Sequence, residues 1–386
     1  MPRPASPAFE TARFRRGGAY ELVVYDRLPD EEKSAFGELL ADPGFYGVLR
    51  PVDGSGRTYR AANRETALLL LTLGEPGTLP FFARGSDSAD GIAALVYDGV
   101  LEVEHDGRFL TGPEAAPVLS DARRAPAGHP LTRLSHDALR LAAAAGGGRP
   151  DELASLLYDF NRLPVPREWA VRLPDREAVL AWLGYPAGSA PRRRLEAGWE
   201  VGDGGERSRG WIYFTGRRRG GRPAGASYKL YVSPAVEELP RAVEAVAAVL
   251  EGRSQATFKT GADAAGLFRP DKLVAYFADL DALLAAARAL EERLDGVAAH
   301  GVPFTAPIDD TGLLSWGADP PASERPLSWH GPESWRTWLA GRLGSALAQA
   351  AGGDPDAACS FALDRLAREG VDVDRWIPAA GLFRAA

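Results

Sequence analysis

The 386-residue chain holds one cysteine, Cys359, and five histidines. A lone cysteine cannot close an internal disulfide, and five histidines leave little material for a Cys/His metal cage. A disulfide scaffold and a zinc module are therefore excluded, and no metal or other cofactor is expected. No apolar run approaches the roughly 20 residues of a membrane helix, so a membrane partner is not expected. The opening MPRPASPAFETARFRR has basic residues but no apolar stretch behind them, unlike a secretory signal, and a cytoplasmic, bacterial-type protein is the expectation. A net charge of −7 argues against general nucleic-acid binding. What the chain does have is 45% hydrophobic residues, enough for a core spanning two or three domains.

Lysine is the scarcest of the common charged residues. The 45 basic residues comprise only Lys33, Lys229, Lys259 and Lys272, and the rest are arginine, the habit of a GC-rich coding sequence. Three of the four lysines fall between positions 229 and 272. Arginine keeps its proton near neutral pH, whereas a buried lysine can lose it, and the ammonium is also the more compact charge for a phosphate. Lysine kept where arginine is the habit points to chemistry that arginine cannot do.

The first 130 residues combine a strand, YELVVYD (20–26), a short helix at 31–40, a helix in ETALLLLTL (65–73), and a hairpin in GVLEVEHDGRFLTG (99–112) turning at Asp106-Gly107. They read as a small winged-helix-like accessory or peptide-docking region without the basic helix that duplex DNA requires. Residues 131–204 read as helical: a Ser/Thr-capped LSHDALRLAAAA (134–145), then DELASLLYDFNRL (151–163) and DREAVLAWLGY (175–185), each opened by Asp. A turn-rich, Arg-rich stretch (186–209) marks the next boundary.

From 205 to 386 the pattern alternates. Short β-branched and aromatic runs at 211–216, 226–233, 255–261, 271–278 and 302–308 are interleaved with helices at 234–250, 281–294, 333–350 and 357–370. Paired strands separated by single helices give an antiparallel or mixed sheet with helices on one face. The fold class is α+β, with a helical, winged-helix-like N-terminal half.

Alternation along those strands gathers the chemistry. Lys229 and Tyr231 project from one face of YKLYV while Leu230 and Val232 face the helices, and Lys259 opposes Phe258 in ATFKTG. In RPDKLVAYF, Lys272, Val274 and Tyr276 share a face, and Arg269 sits on a loop fixed by Pro270. A surface holding Lys229, Tyr231, Lys259, Arg269 and Tyr276 would be a cationic, phenol-lined concavity suited to a phosphate dianion.

Phe258-Lys259, nine residues, then RPDKLVAYF, all preceded by YKLYV, resembles the phosphothreonine-lyase superfamily. In particular it is similar to the Hop-type effector family, whose relatives serve as lyase subunits in class V lanthipeptide and thioamitide biosynthesis. VPFTAP, the SWRTW segment and the tail GVDVDRW extend the resemblance over residues 205–383. The resemblance implies a lyase that removes phosphate from phosphoserine or phosphothreonine of a ribosomally made precursor peptide, with a separate kinase as partner. It implies Lys259 as general base and Lys229 and Arg269 as phosphate holders. Lys272, Tyr276 and Arg336 would be further contacts. Tyr231 stands where those enzymes place a histidine acid, so either Tyr231 donates the proton, the phosphate leaves unassisted, or the chemistry differs. Free lysine, with a pKa near ~10.4, is deprotonated in only about one molecule in two thousand at pH 7, so a lysine base needs surroundings that free its amine.

Other features carry weaker expectations. His300 precedes VPFTAP and is a candidate acid, though a loop histidine is the plainer reading; the same holds for His330. GLLSWGADPP (312–321) reads as a turn-rich surface loop or a lid, and the Arg run 217–219 as a solvated hairpin loop. Two other functions use similar residues: a barrel-type aromatic prenyltransferase, which needs about ten regular strands, and a non-catalytic peptide-binding subunit.

Overall fold

A computed structural model describes residues 11–52, 58–84, 86–120, 128–203, 210–217, 228–253, 256–321, 327, 331–379 and 382–383. His330 and all but the first arginine of the 217–219 run lie outside the described residues.

Among the described residues the elements run β1 (Arg13–Arg16), β2 (Tyr20–Val24), α1 (Asp30–Phe36), β3 (Phe45–Pro51), β4 (Arg60–Asn63), α2 (Arg64–Thr72), β5 (Gly77–Thr78), α3 (Ser86–Tyr97), β6 (Leu101–His105) and β7 (Arg108–Leu110). These strands form two antiparallel sheets, ordered β2-β3-β4 and β5-β1-β6-β7. The β6–β7 turn falls at Asp106 and Gly107, both with positive φ (47° and 73°), as a two-residue hairpin requires.

Next come α4 (Ala116–Leu119), α5 (Pro130–Ala144), α6 (Pro150–Asp159), α7 (Arg167–Arg172), α8 (Arg176–Trp182), α9 (Ala190–Gly198) and β8 (Trp199–Gly202). Two helix starts differ from the expectation. Helix α5 starts at Pro130, where His129 Nδ1 accepts the Leu131 N–H, and Ser135 instead bonds back to the Leu131 carbonyl. Helix α6 starts at Pro150, with Arg149 rather than Asp151 at the cap position. In both, proline takes the first helical position, where its missing N–H costs nothing. Within the Arg-rich stretch at 186–209, of which 204–209 lie outside the described residues, Ser189 caps α9 and β8 follows as an edge strand among the described residues.

The central sheet adds β9 (Trp211–Gly216), β10 (Tyr228–Val232), α10 (Leu239–Leu250), β11 (Thr257–Gly261), α11 (Ala264–Leu267), β12 (Leu273–Phe277), α12 (Leu280–Arg293), β13 (Ala306–Pro307) and β14 (Leu314–Ala318). Its order is β13-β14-β10-β12-β11-β9-β8, antiparallel throughout, with β13 and β8 at its edges among the described residues. This open seven-stranded sheet is not the barrel of a prenyltransferase.

One face of the sheet carries Ile212, Phe214, Leu230, Val232, Phe258, Leu273 and Ala275 into a core with α10 and α12. Phe214 stacks on Phe258 at 4.4 Å, a pairing worth roughly 0.5–1.5 kcal/mol beyond its buried area.

Two segments were misread from sequence. VPFTAPI gives only the two-residue β13, because Phe304 is left-handed (φ 62°) and two prolines interrupt the ladder. GLLSWGADPP contains β14, an interior strand between β13 and β10. Its glycine is there because Trp335 lies across Gly317, where a Cβ would come within 2.6 Å of the indole.

Helices α13 (Trp335–Gln349) and α14 (Pro355–Arg368) follow, and then a two-stranded antiparallel sheet of β15 (Val371–Asp372) and β16 (Ile377–Pro378). Their apolar side chains share a core with Phe14, Tyr97, Leu139 and Leu157, from the N-terminal sheets, α3, α5 and α6. This core therefore draws residues from both ends of the chain. The last helices pack with the first half of the chain and bring the start of α13 against the free face of the central sheet.

Candidate active site

The sheet face opposite α10 and α12 carries the expected residues. The register aligns Ser315, Tyr231, Val274, Lys259 and Tyr213 in one row across five strands. The adjacent row is Gly317, Lys229, Tyr276, Thr257 and Thr215. Tyr231, Val274, Tyr276 and Val302 pack together here, with Tyr213 against them. Tyr231 and Tyr276 are buried, whereas Lys229, Lys259, Trp211 and Tyr213 stay partly open to solvent.

Lys259 and Arg269 meet at Trp211, the first residue of β9. The Lys259 ammonium lies 3.7 Å from the indole centroid and 5.8 Å from the Tyr213 ring, and the Arg269 guanidinium lies 5.3 Å from the same indole. Lys229, two strands away in the next row, pairs with Asp319 at 2.6 Å, both side chains 13% exposed. Asp319 is itself fixed, since its other oxygen accepts the first backbone N–H of α13, from Trp335, at 3.0 Å. The three cations share one face of the sheet.

The expected surplus of positive charge is partly neutralised, and sequence reasoning missed the groups that do it. Asp271 accepts Arg269 through Nε (2.8 Å) and Nη2 (3.1 Å), and Arg336 through Nη1 (3.1 Å). Tyr158, from α6, donates its hydroxyl to Asp271 at 3.4 Å and accepts from Arg269 at 3.2 Å. Burial pushes the Asp271 carboxyl up, but Arg336, Arg269 and Lys259 together hold it well below the carboxylate range. Among the described residues, Asp271 pairs with Arg269 and Arg336, and Asp319 pairs with Lys229. The acidic residue within RPDK, between Arg269 and Lys272, was the available signal for Asp271. Tyr158 and Asp319 arrive from elements far away in sequence, and nothing local marks them.

Two predicted contacts are not free to meet a phosphate. Arg336 is fully buried, and besides Asp271 it donates to the carbonyls of Pro303 (3.2 Å) and Tyr158 (2.6 Å). Lys272 is also fully buried, its ammonium donating to the Pro234 carbonyl at 2.8 Å and to His300 Nδ1 at 2.6 Å. Lys272 lies one residue before β12, where only its carbonyl is joined to β11, by Gly261 N–H at 3.2 Å, so strand alternation did not predict the direction of its side chain. His300 in turn donates Nε2–H to the Asn161 carbonyl (2.7 Å), which makes it a tie between segments rather than a candidate acid.

The loop carrying Val302 over this face is pinned from all sides. The Asn161 side chain donates to the carbonyls of His300 and Gly301, both at 3.0 Å, and the Phe304 N–H donates to Ser135 Oγ at 2.8 Å. Thr305 donates to the Val302 carbonyl at 2.6 Å. Such fixing is what maintains the left-handed Phe304.

Tyr231 lies between the Lys229–Asp319 pair and the Asp271–Arg336 group. Burial, then Asp319, with Asp271 and Tyr158 adding to them, pushes its phenol well above the ordinary value, against the pull of Arg336. It is held neutral and is a reluctant proton donor.

No family model matches the sequence, and no curated protein does. Among solved structures, the chain is similar to an effector protein from Pseudomonas syringae pv. tomato strain DC3000 (13% identity, TM-score 0.41, covering 65% of this chain and 99% of that one). It is also similar to the type III effector/phosphothreonine lyase OspF from Shigella flexneri (15%, 0.28, 46% and 96%). A third is the VirA (SpvC) phosphothreonine lyase effector of Chromobacterium violaceum (14%, 0.27, 48% and 85%). At these identities and scores the likeness carries no residue role over to this chain. Among the described residues no helix is long and apolar enough to cross a membrane, and no group of three or more His, Cys, Asp or Glu side chains could hold a metal ion.

Proposed function

We propose that the chain is a carbon–oxygen lyase that eliminates phosphate from phosphoserine or phosphothreonine in a ribosomally made precursor peptide, leaving a dehydroamino acid. The observation that carries this reading is the placement of Lys259 beside Arg269 on Trp211, on the same sheet face as Lys229.

The roles follow from the donors left over. Arg269 spends Nε and Nη2 on Asp271 and Tyr158, and its Nη1 is the donor to offer a phosphate oxygen. Lys229 gives one of its three N–H bonds to Asp319 and has two more to offer. With phosphate held there, the neutral form of Lys259 takes the α-proton. The Cα–H electron pair becomes the Cα=Cβ bond, the Cβ–O bond breaks, and phosphate leaves with that bond's electrons. Cations already fixed by Asp271 and Asp319 stabilise the departing charge without reorganising, the condition under which electrostatic catalysis is strongest. Tyr276 supports Lys229 from beneath, its ring 5.9 Å from the ammonium. The elimination as written needs no cofactor or metal, but it needs a phosphorylated peptide and hence a separate kinase. In this reading the first 130 residues help to dock the peptide or that kinase.

The test is incubation with phosphothreonine peptides, read by mass spectrometry. Loss of the elements of phosphoric acid that vanishes in Lys259→Ala supports the proposal. A wild-type chain that binds phosphopeptides without turnover overturns it in favour of a binding subunit.

A further inference from the structure

The Trp211 indole serves two cations at once. It lies 3.7 Å from Lys259 and 5.3 Å from Arg269, one being the amine that must reach a C–H bond and the other a guanidinium already anchored on Asp271. Arg269 has directional hydrogen bonds to set its place. The contacts that fix the direction of the Lys259 ammonium include an aromatic pair, Trp211 and Tyr213, both on β9. Tyr213 sits directly opposite Lys259 in the register and Trp211 directly opposite Gly261, so the two rings bracket the lysine stem from the next strand. Gly261 leaves the space above its own backbone to Gly266, which a Cβ would approach to 2.4 Å. Tryptophan is the ring that holds a cation best, so it seats Lys259 as the ammonium between turnovers, and its flat face fixes direction without supplying a group that could take a proton.

We propose that Trp211 is a positioning residue: its indole face seats the Lys259 amine beside Arg269 so that the base and the phosphate holder meet one substrate residue. The proposal rests on the lyase reading for its consequence and on the geometry for its substance. The indole gives no atom to the reaction. Replacing it with leucine removes the face on which the ammonium rests, and displacement on the order of an ångström costs about 10²-fold in turnover.

The scarcity of lysine makes a direct test possible. With 13Cε-lysine incorporated, the full-length protein gives only four side-chain signals. A methylene above an indole face is shifted upfield by the ring current. The Lys259 signal, assigned by its loss in Lys259→Arg, is expected upfield of the other exposed lysines, at an ordinary position in Trp211→Leu, and intermediate in Trp211→Phe. A Lys259 signal at the ordinary position in the wild type, or one unmoved by Trp211→Leu, overturns the proposal. In the activity arm, Trp211→Leu should lower kcat about 10²-fold with KM little changed, and Trp211→Phe should recover much of it. An active wild type whose Trp211→Leu variant turns over equally fast also overturns it. A wild type that is inert on every phosphopeptide while the upfield signal is present sinks the lyase reading and leaves the seating of the amine standing.

Discussion

Lys272 Nζ lies 2.6 Å from Nδ1 of His300, and the imidazole passes its other N–H to the Asn161 carbonyl. That second bond fixes the tautomer, so Nδ1 is the acceptor and Lys272 the donor whether or not the amine is charged. The chain of contacts ties Lys272 just before β12, the loop before Val302 and Asn161, two residues beyond the end of α6, into one unit.

Burial pushes Lys272 down to about 7, against the attraction of Asp271 and Glu237, and burial together with Lys272 pushes His300 down to about 4. Both folded values lie below the unfolded ones, so the unfolded chain binds more protons across each interval. Stability from these groups therefore rises with pH, between about 4 and 6.5 for His300 and between about 7 and 10.5 for Lys272. The difference in unfolding free energy between wild type and Lys272→Met should grow by up to about 1.4 kcal/mol per pH unit from pH 7 to 9 in urea titrations. Parallel pH profiles for the two proteins would remove Lys272 as a buried titrating group.

Asp271→Asn should be strongly destabilising. Arg336 is fully buried, and removing its carboxylate leaves an uncompensated charge, a change that costs about 3–5 kcal/mol. The folded carboxyl is held well below the usual range, so its stabilisation is present above the unfolded value of about 4 and is lost as pH falls below it. Acid titration followed by circular dichroism should show the wild type approaching the variant at low pH; a constant gap would show that shape, not charge, is what Asp271 supplies.

The sequence made the candidate face legible because strand alternation is a local rule. Lys229 and Tyr231 on one side of β10, and Phe258 against Lys259 on β11, follow from a period of two. Asp319, Tyr158 and Trp211 were not legible as partners, since each is brought in by pairing or helix packing between distant segments. Strand β14 was hidden by its own adaptation: Ser315 and Gly317 are small because Thr305 and Trp335 crowd that face, so the segment looked like a loop. The helix starts at Pro130 and Pro150 were missed because Ser135 and Asp151 are the more conspicuous capping residues, while proline at the first turn decided both.

Gly317→Ala tests that crowding next to the site. Gly317 lies directly opposite Lys229, and an added Cβ would meet Trp335 Cδ1 at 2.6 Å inside a fully buried contact. The start of α13 must shift, moving the Trp335 N–H that fixes Asp319 and so the carboxylate that holds Lys229. The expected cost is about 1–3 kcal/mol, read by thermal or urea unfolding, with phosphopeptide affinity falling as well. Unchanged stability would mean that α13 tolerates displacement and does not set Lys229.

Tyr231→Phe separates two ways for the phosphate to leave. Burial and the neighbouring carboxylates Asp319 and Asp271 raise the phenol well above its ordinary value, which weakens it as a proton donor, whereas the cations Lys229 and Arg269 are already in place. Tyr231→Phe should therefore keep turnover within a few-fold, while Lys229→Met, which removes a preset charge from the leaving group, should lose about 10²–10³ in kcat. Comparable losses in the two variants, measured by phosphate release from the same peptide, would make Tyr231 the acid after all. In that case Tyr231→His, which offers a more acidic donor at the same register position, should be the more active of the substituted enzymes, with its activity falling as pH rises through the imidazole range.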